Sequence, residues 1–320
     1  MWARCLLPFP TAAHMLRYII NRLLQSILVI LGVLLLVFFI VNLTGDPVRI
    51  MLPPEASQED VERLRVQMGL DKPLPEQFIR FLAGAVRGNF GESLRYRGQP
   101  ALKQVVQRFP ATLTLAAATL IWSLPAALLL GTIAAIRRHS IIDNLATVTA
   151  LLGQSMPSFW LGLMLILTFA VQFGLLPSSG YGRLRHVILP AFTLGAFFTA
   201  RNTRLVRSGM SEVLEQDYIR TARAKGVGEW IVLVRHALKN MAIPVVTIVG
   251  LDIGQLLGGA VVTETVFAWP GIGRLAIDSI LNRDFPVLEA DVFFIALAFV
   301  GINLLIDICY TWLDPRVRVK

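Results

Sequence analysis

FPATLTLAAATLIWSLPAALLLGTIAAI, residues 109–136, runs from Arg108 to Arg137 without one charged side chain. A helix needs about 20 predominantly apolar residues to cross the hydrocarbon of a bilayer, and this stretch exceeds that length. Two more stretches share the pattern: no Asp, Glu, Lys or Arg occurs between Arg22 and Asp46, or between Asp143 and Arg183. The expected fold is therefore an all-α integral membrane protein. Its spans are read at 19–42, 109–136, 142–172, 187–207, 242–262 and 288–312.

Composition agrees. The chain is 55% hydrophobic and 16% charged, whereas soluble domains carry about a quarter charged residues. A net charge of +9 would suit a nucleic-acid binder, but the basic residues gather at the ends of apolar runs, so nucleic acid is excluded as a partner. Short loops rich in Lys and Arg mark the cytoplasmic side of a membrane protein. Arg17 and Arg22, Arg137 and Arg138, the cluster from Arg207 to Lys239, and Arg316, Arg318 and Lys320 all fall on one side if both termini are cytoplasmic.

The domain organisation follows. Residues 1–18 form a cytoplasmic extension, whose MWARCLLPFP start is too short and proline-broken for a secretory signal; the working chain begins at Met15. After the first span, residues 43–108 form an extracytoplasmic insertion. Within it, Ser57 to Asp60 has capping-box character, with Val61, Leu64 and Met68 following on one face. Pro75 to Val86 forms a second helix, stopped by Gly88 and Gly91. Residues 109–320 make the remaining five-helix core, including a cytoplasmic loop at 208–241.

Chemistry of its own is absent. There is no H-E-x-x-H, no phosphate-cradling G-x-x-x-x-G-K-[ST] and no G-x-S-x-G. The histidines at 14, 139, 186 and 236 have no zinc spacing, and Cys5 and Cys309 lie far apart. Glu289 and Asp291 read as a solvated helix N-terminus. Uphill transport would need energy from another subunit or an ion gradient.

The cytoplasmic segment SEVLEQDYIRTARAKGVGEWIVLVRHALKNMAIP, residues 211–244, reads as two helices joined by a sharp turn. The first runs from Ser211 to Lys225, and Gly226 suits the left-handed position after its end. The second starts at Glu229, with Trp230, Val234 and Leu238 on one face. By pattern alone this hairpin fits either a groove on a soluble partner or the headgroup layer.

This segment resembles the EAA loop of ATP-binding-cassette (ABC) importer permeases, E-A-A-x-x-x-G-x(9)-I-x-L-P. Arg220-Thr221-Ala222 stands at the E-A-A, Gly226 at the glycine and His236-Ala237-Leu238-Lys239 at the I-x-L-P. The departures at Arg220 and Lys239 are the usual form in the dipeptide/oligopeptide/nickel branch. LTGDPV at 43–48, MGLDKPLPEQF at 68–78, GNFGESL at 88–94, SMPSFWLGL at 155–163 and LLGGAVVTETVFAWPGIGRL at 256–275 also resemble that branch. The resemblance covers Met15 to Lys320.

It implies a type I importer permease that binds no cofactor itself, with ATP and magnesium held by two partner ATPase subunits. The other expected partners are a second homologous permease subunit, an extracytoplasmic substrate-binding protein and the bilayer of a bacterial inner membrane. Tyr218, Arg220, Thr221, Ala222, Lys225, Gly226 and His236 would couple to the ATPases. The implied cargo is di- or oligopeptide, with glutathione, nickel chelates or oligosaccharides as alternatives. A stand-alone secondary transporter would call for an inverted internal repeat, and the chain shows none.

The fifth span holds a second constellation. Gly250, Gly254 and Gly258 recur every fourth residue, a stripe that lets helices approach closely. Asp252 and Gln255 lie beside it as candidates for lining the pathway, with a structural hydrogen bond as the alternative for Asp252. Arg201, Arg204 and Arg207 follow down the fourth span and are expected to snorkel to the inner surface. Beyond the fifth span, Pro270, Gly271 and Gly273 of FAWPGIG forbid a continuous helix, and the segment is expected to fold back near the outer gate.

Overall fold

The computed structural model describes residues 12–44, 48, 52, 57–96 and 98–313; the start of the extension at 1–11 and the basic end at 314–320 lie outside them. Described residues form helices and no strand beyond one isolated bridge between Glu92 and Pro100. The helices are α1 (Ala12–Thr44), α2 (Gln58–Met68), α3 (Leu74–Val86), α4 (Ala101–Ile136), α5 (Ile141–Ser155) and α6 (Ser158–Gln172, π-helical from Ile166). They continue as α7 (Leu184–Leu214), α8 (Asp217–Ala224), α9 (Glu229–Ile231, running on as a π-helix over Val232–Leu238), α10 (Lys239–Gly259), α11 (Val261–Val266), α12 (Ile272–Leu281) and α13 (Phe285–Leu313).

Segments Ile20–Leu43, Ala101–Ile136 and Phe285–Ile306 are long and apolar enough to cross a bilayer. Two bent pairs, Ile141–Ser155 with Ser158–Gln172 and Glu229–Met241 with Pro244–Leu256, qualify when each is joined. The expected single helix 142–172 is thus two. Pro157 forces Met156 into extended backbone (ψ 128°), and the axis turns by 102°. The expected span at 187–207 is the middle of the longer α7, where Arg185, His186, Arg201, Arg204 and Arg207 dilute its apolar character. Helix α1 begins at Ala12, so residues 12–18 of the expected extension are already helical.

The chain divides into two compact units. The first comprises residues up to Pro110 together with Gly271–Leu304. Ala85, Phe90, Ala101, Val105, Ile272, Leu275, Val287 and Ala290 make its core. A run of rings extends it: Phe38 meets Phe78 (centroids 5.3 Å apart), Phe81 meets Phe90 (6.2 Å), and Phe90 meets Phe293 (5.2 Å). Helix α2 starts at the expected capping box, Ser57 and Asp60 each satisfying the other's backbone N–H, and closes on Gly69 at φ 70°. Asp291 departs from the expected solvated position. Helix α13 begins at Phe285, so Asp291 sits in its second turn on the face of Val287 and Ala290 and is fully buried, not solvated.

The second unit comprises Ala111–Pro270 and Leu305–Val317. One cluster joins α4, α7 and α10 through Leu115, Leu194, Phe198 and Leu256, with Trp269 completely buried. The FAWPGIG segment breaks the helix as expected, Ala268 taking φ 50°. It is not a loose loop: the Trp269 indole donates to the Ala111 carbonyl (2.9 Å), and the Glu264 carboxylate, fully buried, accepts from Thr112 (2.7 Å). The other cluster, Val206, Met210, Ile219, Ala222, Val232, Leu233 and Ala237, carries the hairpin that follows α7.

Candidate functional site

The hairpin is built from the inside outward. Helix α8 places Ile219 and Ala222, three residues apart, on its inner face, and α9 with its π-turn adds Val232, Leu233 and Ala237. Ala222, expected at the coupling surface, is therefore turned into the chain's own core at 8% exposure. Helix α7 runs on to Leu214 and breaks at Glu215 and Gln216, so the expected helix from Ser211 to Lys225 is the end of one helix and the whole of another.

Between α8 and α9, Gly226 takes φ 75°, with nothing within 4 Å of where a Cβ would stand. That left-handed backbone suits glycine and strains most other residues. The turn is closed by a two-point pair: Arg223 donates to Glu229 from Nη2 (2.5 Å) and Nε (3.1 Å). The pairing holds the Glu229 carboxyl below its usual range and raises the Arg223 guanidinium. Glu229 opens α9, where its charge also suits the helix dipole.

The outer face is exposed. Tyr218 accepts from the Asn240 amide (2.9 Å) and keeps its ring in solvent. Thr221 donates to the Asp217 carbonyl (2.8 Å), while Arg220 and Lys225 project freely outward apart from a loose Arg220–Asp217 pair at 3.7 Å. His236 is half-buried. Trp230 is the most exposed large apolar side chain of the hairpin, at 76%, with Ile231 and Val234 beside it. Leu238, expected on that face, packs inward, because the wider π-turn from Val232 shifts the later residues round. An apolar and basic rim around a rigid turn is a surface shaped for a protein partner.

Inside the second unit, Asp252 of α10 is buried (1% exposed), forms an ion pair with Arg201 and accepts from the Asn202 amide (2.6 Å). Gln255 accepts from Arg201 (3.1 Å). The three arginines do not simply snorkel: Arg204 donates to Gln154 (2.9 Å), and Arg207 pairs with buried Asp143. Gly250 is tightly packed, since a Cβ there would lie 2.7 Å from Ile306. Gly254 is buried, and the surroundings of Gly258 lie outside the described residues. Composition missed other close approaches: a Cβ on Gly131 would meet Val206 and the Thr203 carbonyl, and one on Gly195 would meet Trp122. No cluster of His, Cys, Asp and Glu suited to a metal occurs among the described residues.

The family model "Binding-protein-dependent transport system inner membrane component" matches residues 127–319, and the corresponding N-terminal model matches residues 15–116. The chain belongs to this family. It is therefore an inner-membrane permease subunit of an ABC importer and not an enzyme, the ATPase residing in separate subunits. The permease is 44% identical over 307 residues to the glutathione transport system permease protein GsiC of Escherichia coli K12, covering 96% of this chain and all of that one. The Shigella dysenteriae protein of the same name matches to the same extent. Among solved structures, the MetNI methionine ABC transporter, in an inward-facing conformation, shares the fold with a TM-score of 0.51 and 18% identity. That match covers 64% of this permease and 92% of the other chain.

Proposed function

We propose that the permease forms half of a pathway for peptide-like substrates, with the 217–238 hairpin as its coupling element. The observation that carries the coupling assignment is the hairpin's construction. Ile219 and Ala222 bolt α8 to the membrane core, the Arg223–Glu229 pair fixes the turn, and Tyr218, Arg220, Thr221, Lys225 and Trp230 are left outward. Movement of an ATPase against that rim is thereby delivered to α7 and α10 and not absorbed by a flexible loop. Gly226 sets the turn, and half-buried His236 lies on the second arm of the hairpin. The second permease subunit, two ATPases and a substrate-binding protein complete the assembly, with both termini of this chain cytoplasmic.

The substrate assignment rests on the relatives. Glutathione is a tripeptide with a γ-linkage, so the name carried by the 44%-identical proteins supports a peptide-like cargo within the dipeptide/oligopeptide/nickel branch. Glutathione is the leading member, and α-linked di- and oligopeptides are the wider set. The test is uptake of labelled glutathione and dialanine by the reconstituted importer. Glutathione accumulation that requires ATP and the binding protein is expected. Transport of neither compound, alongside transport of a nickel chelate or an oligosaccharide, would reject the peptide assignment and leave the coupling assignment standing.

A further inference from the structure

A row of polar side chains crosses α5, α7 and α10. Gln154 accepts from Arg204, Gln255 accepts from Arg201, and Asp252 holds Arg201 and Asn202. Gln154, Arg204 and Gln255 are exposed on the chain's surface, while Ser208, one turn below Arg204, already lies past the expected span at 187–207. If α7 crosses the bilayer as expected at 187–207, such a row is costly against acyl chains, because each polar group would stand against hydrocarbon. It faces water or another protein.

The charges along the row are unequal. Arg201 and Arg207 each have a buried carboxylate, Asp252 and Asp143. Arg204, between them, meets only the amide oxygen of Gln154, and no carboxylate pairs with it among the described residues. Its guanidinium keeps most of its five N–H donors unused. Arg201 is spoken for: Asp252 grips it, and the Phe197 and Phe198 rings flank it at 5.9 and 5.6 Å.

We propose that Arg204, flanked by Gln154, is a transit subsite for a carboxylate of the transported substrate. This rests on the peptide-like substrate reading, since every such substrate carries a terminal carboxylate. A planar fork of donors matches that group. A lone exposed arginine with one neutral neighbour binds it weakly enough for release, which conduction requires. A lipid phosphate is the lesser candidate because Arg201 and Arg207 are already held by carboxylates, so among the described residues no second free cation stands beside Arg204 to share a phosphate.

The test uses the complete importer in nanodiscs, with Cys5 and Cys309 replaced by serine and Gln154→Cys introduced. It is labelled with an anionic (sulfonatoethyl) or a cationic (trimethylammonioethyl) methanethiosulfonate, each rate being normalised to that of a free thiol. The anionic reagent should react about tenfold faster, the scale of one charge-assisted contact. Adding Arg204→Gln should bring the ratio near one. Arg204→Gln alone should raise the KM for glutathione uptake several-fold, with Arg204→Lys intermediate.

Absence of labelling by either reagent, in both nucleotide-free and ATP-bound complexes, would overturn the proposal. So would a charge ratio indifferent to Arg204. A ratio that is present in zwitterionic nanodiscs and lost in anionic-lipid ones would assign Arg204 to a headgroup and equally overturn it. If the wild type imports neither glutathione nor dialanine, the substrate reading fails separately, and the labelling ratio still decides whether the row attracts anions.

Discussion

Arg207 of α7 grips Asp143 of α5 at two points, from Nε and from Nη2, the latter at 2.8 Å, with the carboxylate 2% exposed. Asp143 also accepts from the His139 N–H (3.0 Å), and its own N–H donates to the Ser140 hydroxyl that caps α5 (3.3 Å). His139 takes φ 62°, a conformation costly for a side chain with a Cβ, so the clamp holds a strained corner between α4 and α5. One carboxylate thus ties the start of α5 to α7 and sets the corner before it.

Removing one member should be worse than removing both. Asp143→Ala leaves Arg207 facing a vacated site and should lower stability by about 3 kcal/mol, the lower end for breaking a buried pair, because Arg207 keeps a third of its side chain exposed. The double variant with Arg207→Met should recover part of that loss. Thermal unfolding of the purified complex in detergent measures both. Equal losses in the single and double variants would show that the charge pair is not the relevant interaction.

Gly226 is a cleaner test of coupling, because space is not the issue there. With no atom within 4 Å of the missing Cβ, the cost of substitution is backbone strain alone, about 1–2 kcal/mol for a side chain with a Cβ. Gly226→Asn should be tolerated best and Gly226→Val worst. Membrane insertion should be unchanged in both. Substrate-stimulated ATP hydrolysis by the assembled importer should fall sharply in the valine variant, and full stimulation there would contradict the coupling role of the turn.

In the first unit, Asp284 organises the segment after α3. Its carboxylate accepts from the Ser93 hydroxyl (2.5 Å) and from the Leu94 and Arg95 N–H groups (3.0 and 3.3 Å). Ser93 and Asp284 are both almost fully buried. Asp284→Ala orphans those donors and should cost about 2–3 kcal/mol, whereas Ser93→Ala should cost about 1 kcal/mol. Limited proteolysis between Gly88 and Gln99 should accelerate in the aspartate variant and change little in the serine variant.

Much of this was readable in the chain because the bilayer imposes a simple grammar. A run such as 109–136 admits one structure in hydrocarbon, and Ser57, Gly226 and Glu229 carry local signals independent of tertiary packing. What escaped reading depends on neighbours. Pro157 inside an apolar run signals a break but not a 102° turn. The inward rotation of Ala222 and Leu238 follows from packing and a π-turn that the four-residue spacing hides. The partners of Arg201, Arg204 and Arg207 lie about 50 to 64 residues away in the chain, and no spacing rule reaches that far. The burial of Asp291 required knowing that α13 starts at Phe285.

The Arg223–Glu229 pair supplies a prediction with a defined pH sense. Pairing holds the Glu229 carboxyl below its ordinary value, Arg223 being the leading cause. A group depressed in the folded state contributes stability that is fully present above its unfolded pKa and is lost as pH falls through the folded one. The turn should therefore stay ordered at neutral pH and through the ordinary glutamate range, loosening only below it. Both side chains are about half exposed, so the effect is local and salt-sensitive and does not amount to global unfolding. A nitroxide on Lys225→Cys, with Cys5 and Cys309 replaced by serine, reports it. Its spectrum should remain immobilised down to the ordinary carboxylate range and sharpen beneath it. The same label with Glu229→Gln added should be mobile at every pH, because the amide retains a hydrogen bond but not the charge. High salt should move the wild-type spectrum toward that of the glutamine variant. Identical mobility in the two proteins at neutral pH and low salt would show that the backbone of Gly226 fixes the turn without help from the pair.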